Sequence, residues 1–179
     1  AVEYASYASL PEVWTLVGKA QLDAKLIIEC MQSFLKAQDV QYYKNVIAAV
    51  NSVAASSNDE KEVIKFYTDL IVYLKMARKK SKDATVDNEL VYSFAKTGKL
   101  NELEDFVQTT TTAKLVECGD RCFNENLYHA AKIIYSHISN YAKLAKALVK
   151  LELWTEAVDA AKKAKAIETW KFVCFACCQ

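Results

Sequence analysis

The chain has 179 residues, 53% of them hydrophobic and 25% charged, a globular balance far from the polar, low-aromatic profile of disorder. It holds three glycines and one proline, where ordinary usage would give roughly a dozen and nine. That scarcity excludes a turn-rich β-sandwich or barrel, collagen and a Gly-rich phosphate loop, and it leaves an almost wholly helical protein. With 23 basic and 22 acidic residues the net charge is +1, so no global field draws in nucleic acid or an anionic membrane.

Apolar residues recur at three- and four-residue steps along nearly the whole chain, which marks amphipathic helices. Ser9-Leu10-Pro11-Glu12 reads as a capping box, with a serine N-cap and a proline in the first turn, so the first helix is expected over 12–22. Helices follow at 24–36 and 40–53. The small, polar segment 53–59 reads as the longest loop. A helix at 60–80 precedes one at 86–97, which Gly98 can end by taking positive φ. Asn101 with Glu104 is expected to cap a helix at 101–108. Residues 109–112 and 139–140 read as loops around helices at 113–125, 127–138 and 141–151. Helices at 155–164 and 168–178 complete the series. Loops this short make neighbouring helices antiparallel.

A repeat runs through these helices. From Trp154, small residues fall at +3, +7 and +10 (Ala157, Ala161, Ala164), then Ile167, Trp170 and Val173 at +13, +16 and +19. From Ile27 the same steps give Cys30, Phe34, Ala37, Val40, Tyr43 and Val46. From Tyr128 they give Ala131, Tyr135, Ile138, Tyr141, Leu144 and Ala147. Weaker copies start at Tyr67 and at Leu100, the latter with Phe106 one step early. Small residues on one face let a second helix approach closely, and the block at +13 to +19 lies on that helix. Two such helices cannot hide both faces alone, so they stack on the next pair. The expected fold class is all-α: an α-solenoid, or superhelix, of about five stacked antiparallel helical hairpins, forming one continuous run over residues 1–179.

Several segments resemble the clathrin heavy-chain family. These are Val13-Trp14 with Gly18-Lys19-Ala20-Gln21-Leu22, the run from Tyr73 through Leu74-Lys75-Met76-Ala77 to Arg78-Lys79-Lys80, Gly119-Asp120-Arg121-Cys122, Tyr128 with Ala130-Ala131-Lys132, and Thr169-Trp170-Lys171-Phe172-Val173-Cys174-Phe175-Ala176-Cys177. They stand in the family's order from about residue 11 onward and correspond to the middle of its leg, around the knee and the start of the proximal segment. The chain departs from the family pattern near 51–69, where about 52–65 reads as an insertion. The resemblance implies a structural component of a vesicle coat that self-assembles into a polyhedral lattice for endocytosis and intracellular transport. It implies as partners the other heavy-chain legs, with the trimer hub outside these residues, and a light chain contacting mostly outside them. It implies a cytoplasmic location on coated pits and vesicles, and no cofactor. The alternative is a helical-repeat scaffold or adaptor of a vacuolar sorting or tethering complex. A tetratricopeptide adaptor would show a 34-residue period, which the anchor spacings of 26 to 40 do not.

No chemical site competes with this reading. Cys118-x3-Cys122 and Cys174-x2-Cys177 lie on helices without the turns of a zinc knuckle, so these thiols and Cys30 and Cys178 are read as reduced, buried packing residues. His129 and His137 lack an orienting group and an oxyanion turn, so no catalysis is assigned to them. The pairs Glu102/Asp105 and Glu104/Asp105 sit in a first helical turn, where carboxylates complement the dipole. Lys162, Lys163 and Lys165 read as a solvated helix end. The denser run Lys75, Arg78, Lys79, Lys80 and Lys82 is the one candidate docking patch, for an acidic partner. Trp14, Trp154 and Trp170 are expected in the core or between repeats. No run reaches the ~18 apolar residues of a membrane helix. Glu3 and the nearby tyrosines break any signal-peptide core. Ala1 and the apolar segment ending at Gln179 suggest a cut from a longer chain.

Overall fold

The computed structural model describes residues 10–109 and 111–178. Among these residues there are eleven α-helices and no strand: α1 (Pro11–Asp23), α2 (Ile27–Ala37), α3 (Tyr43–Ser56), α4 (Glu60–Lys80), α5 (Ala84–Lys96), α6 (Leu100–Gln108), α7 (Leu115–Asn124), α8 (Tyr128–His137), α9 (Tyr141–Lys150), α10 (Trp154–Ala164) and α11 (Ile167–Cys177). Each lies within three residues of its expected place. The fold is an all-α helical repeat of the solenoid class. The chain divides into two compact units between Thr97 and Gly98.

The turns depart from expectation in their chemistry. Helix α1 takes Leu10 as its N-cap with no side-chain bond, and proline opens the helix. Ser9, the expected cap, lies outside the described residues. Helix α6 likewise starts from Lys99 without a side-chain cap, so the Asn101–Glu104 pair does not form one. Its entry is set by Gly98 at φ 69°, whose carbonyl accepts from the Leu100 amide at 2.9 Å. Segment 53–59 is shorter as a loop than its composition suggests. Helix α3 runs on to Ser56, and Asp59 accepts from the Lys61 amide to start α4. Of the expected 52–65 insertion, 52–56 is thus the end of α3 and 60–65 the start of α4.

Elsewhere the chain turns on non-glycine residues held at positive φ: Lys25, Gln38, Asn126, Ser139, Glu152 and Lys165. The last four stand at steps of 13, and Lys25 and Gln38 are separated by the same step. At Asn126 the hydrogen bonds are Asn126 N–H to the Phe123 carbonyl (3.1 Å) and Leu127 N–H to the Cys122 carbonyl (2.9 Å). The same pair recurs at Ser139–Asn140 and at Glu152–Leu153. This left-handed closure satisfies the last carbonyls of one helix. The residue after it serves directly as the next N-cap: Leu127 for α8, Asn140 for α9, Leu153 for α10. Ten residues of helix and three of turn make a 13-residue rung, so a hairpin takes 26, the spacing of Tyr128 and Trp154.

In the first unit the long helix α4 packs on α2, α3 and α5 and buries Phe66, Tyr67, Leu70, Ile71, Tyr73, Leu74 and Ala77. Phe34 of α2 lies 5.3 Å from Tyr42 and 6.1 Å from Tyr73, centroid to centroid, and Tyr67 meets Tyr92 of α5 edge-on at 5.6 Å. A polar thread crosses the three helices: Tyr67 donates to Asn51 Oδ1, and Asn51 donates to Glu89 Oε1, each at 2.9 Å. In the second unit α6 packs on α8 and α9 packs on α11, while Lys132 of α8 reaches Glu156 of α10 and Lys143 of α9 reaches Asp120 of α7. The helices therefore form two rows, α6–α8–α10 and α7–α9–α11.

The repeat positions are buried as the series requires at +3, +7 and +19: Cys30, Phe34 and Val46, then Ala131, Tyr135 and Ala147, then Ala157, Ala161 and Val173. In the Leu100 series the +7 residue is Val107, 2% exposed, so the step is regular after all. The anchor position is less constant: Ile27 is buried, but Trp154, expected in the core or between repeats, is 40% exposed, and Ile167 at +13 is 72% exposed. Glycine serves the crossing itself. A Cβ on Gly18 would stand 2.8 Å from the Phe34 ring, and one on Gly119 would stand 2.6 Å from Tyr135, at the same sixteen-residue step. The third copy reaches the same fit with Ala145 and Ala161, both fully buried.

Candidate functional site

The five basic residues singled out at the end of α4 do not form one free surface. Arg78 is turned inward: its Nε donates to Asp87 Oδ1 of α5 at 2.8 Å, and that carboxylate is only 5% exposed. Lys80 Nζ donates to the Gln38 carbonyl at 2.5 Å, closing the left-handed turn after α2. Lys75 places its ammonium 5.3 Å from the Phe94 ring centre. Lys79 and Lys82 are exposed. Beside the run, Asp83 caps α5 by accepting from the Thr85 amide and also accepts from the Tyr43 hydroxyl. The tyrosine hydrogen bond holds the Asp83 carboxyl well below the usual carboxylate range, and the same bond pushes the Tyr43 phenol up.

In the second unit Asp120 is the polar junction of three helices. Lys143 Nζ donates to both of its oxygens, at 2.7 and 2.6 Å, and the Tyr135 hydroxyl donates at 2.7 Å. Partial burial works against the charge, but those hydrogen bonds prevail and the Asp120 carboxyl sits below its ordinary value. Tyr135 is raised, first by burial and then by its bond to Asp120. On the other row a groove of about 390 Å³ between α6 and α8 is lined by Glu104, Lys132 and His137 among others. A second of about 300 Å³ between α8 and α10 adjoins it at Lys132 and Ser136. The 2.8 Å Lys132–Glu156 ion pair bridges the second groove.

His129 and His137 both lie exposed on α8, whereas Cys118 and Cys122 are buried on α7. Cys30 is buried as expected, its Sγ bonded to the Ile27 carbonyl, and burial pushes the thiol up to about 12. Cys174, Cys177 and Cys178 are exposed, correcting the reading of all six thiols as buried packing residues. Cys174 and Cys177 sit on α11, which buries only Thr169 and Val173, and Cys178 is its C-cap. Among the described residues no cluster of three or more histidines, cysteines or carboxylates could hold a metal ion. Among the described residues no helix is long and apolar enough to cross a membrane.

These junctions organise packing and present charge. A family model described as a region in clathrin and VPS proteins matches residues 62–179. The chain is 42% identical to clathrin heavy chain of Dictyostelium discoideum over 98% of its length, and 45% identical to clathrin heavy chain 1 of Arabidopsis thaliana over 99%. It is 40% identical to clathrin heavy chain 2 of Homo sapiens, again over 99%. The chain belongs to the clathrin heavy-chain family. The repeat description alone names VPS proteins beside clathrin; the nearly full-length likeness to heavy chains decides between the two expectations. The chain spans 10% of the length of each of these relatives.

Within this clathrin-type segment, several residues of the motifs that carried the resemblance prove to be packing devices. Gly18 and Gly119 admit an aromatic ring, Asp120 ties α7 to α9, and Arg78 ties α4 to α5. The sequence reading missed the cross-helix pairs Asp120–Lys143 and Lys132–Glu156, whose members share no helix and so show no three- or four-residue spacing.

Proposed function

We propose that this chain is part of the leg of a vesicle-coat heavy chain, acting mechanically in a self-assembling polyhedral lattice on the cytoplasmic side of membranes, in endocytosis and intracellular transport. The likeness to clathrin heavy chains over 98–99% of the chain carries the reading. The fold supports it, because each helix packs mainly on its neighbours along the chain, so a long leg can be built by adding rungs. Many weak leg-to-leg contacts then sum into a stable coat. Trimerisation belongs to a hub outside these residues, a light chain docks mostly beyond them, and the segment shapes the membrane through the lattice without touching lipid. Of the expected basic patch, Lys79 and Lys82 are the part available to an acidic partner; equal incorporation of a K79E/K82E chain into coats would reduce them to solvated surface. The reading as a whole is tested in cells. A fluorescently tagged full-length chain should gather in membrane-associated puncta, and its depletion should cut uptake of a surface-bound tracer. A diffuse signal with unchanged uptake would overturn it.

A further inference from the structure

Helix α4 is 21 residues long, about twice the usual rung, and its burial starts only at Phe66. Its partner α3 buries nothing after Val50. No side chain from 51 to 65 is buried, so the tip of this hairpin stands clear of the packed layer. At 1.5 Å per residue the free part of α4 projects about 9 Å. Ser57, Asn58 and Asp59 join the two helices. Ser57 (φ −83°, ψ 134°) and Asp59 (φ −95°, ψ 105°) are both extended. Ser57 Oγ donates to Glu62 Oε2 at 2.9 Å and accepts from the Asp59 amide at 3.2 Å. Ser56, by contrast, is the last residue of α3 and donates its hydroxyl to the Val53 carbonyl at 2.9 Å.

Charge is unevenly placed about this turn. From Asn45 through Asn58 there is no charged residue; then come Asp59, Glu60 and Glu62, all exposed, with Lys61 the one cation among them. A kinase that reads arginine or lysine ahead of its serine, or proline just after it, finds neither here. A kinase with a basic cleft finds carboxylates at +2, +3 and +5 from Ser57, on a segment already extended and projecting. We propose that Ser57 is a phosphorylation site for an acid-directed serine/threonine kinase. In the transfer, Ser57 Oγ attacks the γ-phosphorus of ATP, its proton passes to the kinase's base, and the bond from that phosphorus to the bridging oxygen breaks, releasing ADP. The product carries nearly two negative charges at a helix start that already holds Asp59, Glu60 and Glu62. The Ser57–Glu62 hydrogen bond becomes a repulsion, so the first turns of α4 loosen while the core from Phe66 onward stays packed. The proposal is independent of the coat reading, and either can fail without the other.

The test combines the full-length chain with MgATP and a purified acid-directed kinase, and locates phosphate on the tip by mass spectrometry. Wild type should take a single phosphate there, on Ser57. S56A should be modified like wild type, S57A should lose the signal, and E60Q should slow the reaction about tenfold, since it removes the +3 carboxylate. In the modified chain the amides of 61–65 should exchange with solvent faster, while those of 66–77 keep their protection. None of these variants replaces a buried side chain, so a lost signal does not report misfolding. An unmodified tip, phosphate on Ser56, or E60Q reacting as fast as wild type overturns the assignment. Unchanged exchange at 61–65 overturns the loosening.

Discussion

Removing the Arg78 guanidinium would take a 2.8 Å charged partner from an Asp87 carboxylate that is 5% exposed, whereas Lys79, one position on, stands in water. R78A should therefore cost roughly 3 kcal/mol in urea unfolding and K79A less than about 0.5, although the two belong to the same basic run. Equal effects would mean that the Asp87 bond is not a structural contact. Trp154 offers the converse case. At 40% exposed it is far from a sealed core residue, so W154A should cost about 1 kcal/mol, well below the ~3–5 of a buried aromatic truncation. Asp120 gives a pH signature. Its folded-state value is depressed, so its contribution to stability is complete above the ordinary carboxylate range and fades as the pH falls through the folded value. The acid limb of the stability curve should be shallower in D120N than in wild type; parallel limbs would show that the Lys143 and Tyr135 bonds do not hold the charged form.

At the scale of the element, existence and type of helix were legible because apolar spacing reports directly on which face is buried. The turns were not. Glycine is the usual sign of positive φ, yet among the described residues six of the seven positive-φ positions are Lys, Gln, Asn, Ser, Glu and Lys. Their regular spacing of 13 emerges only once the helix ends are known. A left-handed non-glycine residue costs about 1–2 kcal/mol in backbone strain, so E152G should stabilise the chain by roughly 0.5–1 kcal/mol after the unfolded-state entropy of glycine is counted. An E152V chain, β-branched at the same position, should melt earlier than wild type. No gain in the glycine variant would mean that the turn relaxes out of the left-handed region. The helix crossings were half legible. The small residues of the repeat were visible, but that Gly119 answers Tyr135 at sixteen residues' distance, as Gly18 answers Phe34, needs the two helices side by side. Introducing a methyl at Gly119 should disrupt the α7–α8 hairpin, and G119A/Y135L should recover most of the lost thermal stability by returning the volume.

At the scale of the molecule, the family was legible from ordered motifs spread along the chain, since packing residues in a helical repeat are constrained at every rung. The available charge was not. The basic run that looked densest in sequence is partly consumed by Asp87 and the Gln38 carbonyl. Sequence density of charge and available charge are different quantities, separated by what the fold neutralises. The segment is a tenth of the length of its relatives, so the proposed mechanical role belongs to the whole chain. Electron microscopy of the purified full-length protein, concentrated under conditions that favour association, addresses that role most directly. Closed polyhedral cages are the predicted result; a protein that stays dispersed at every concentration would contradict it.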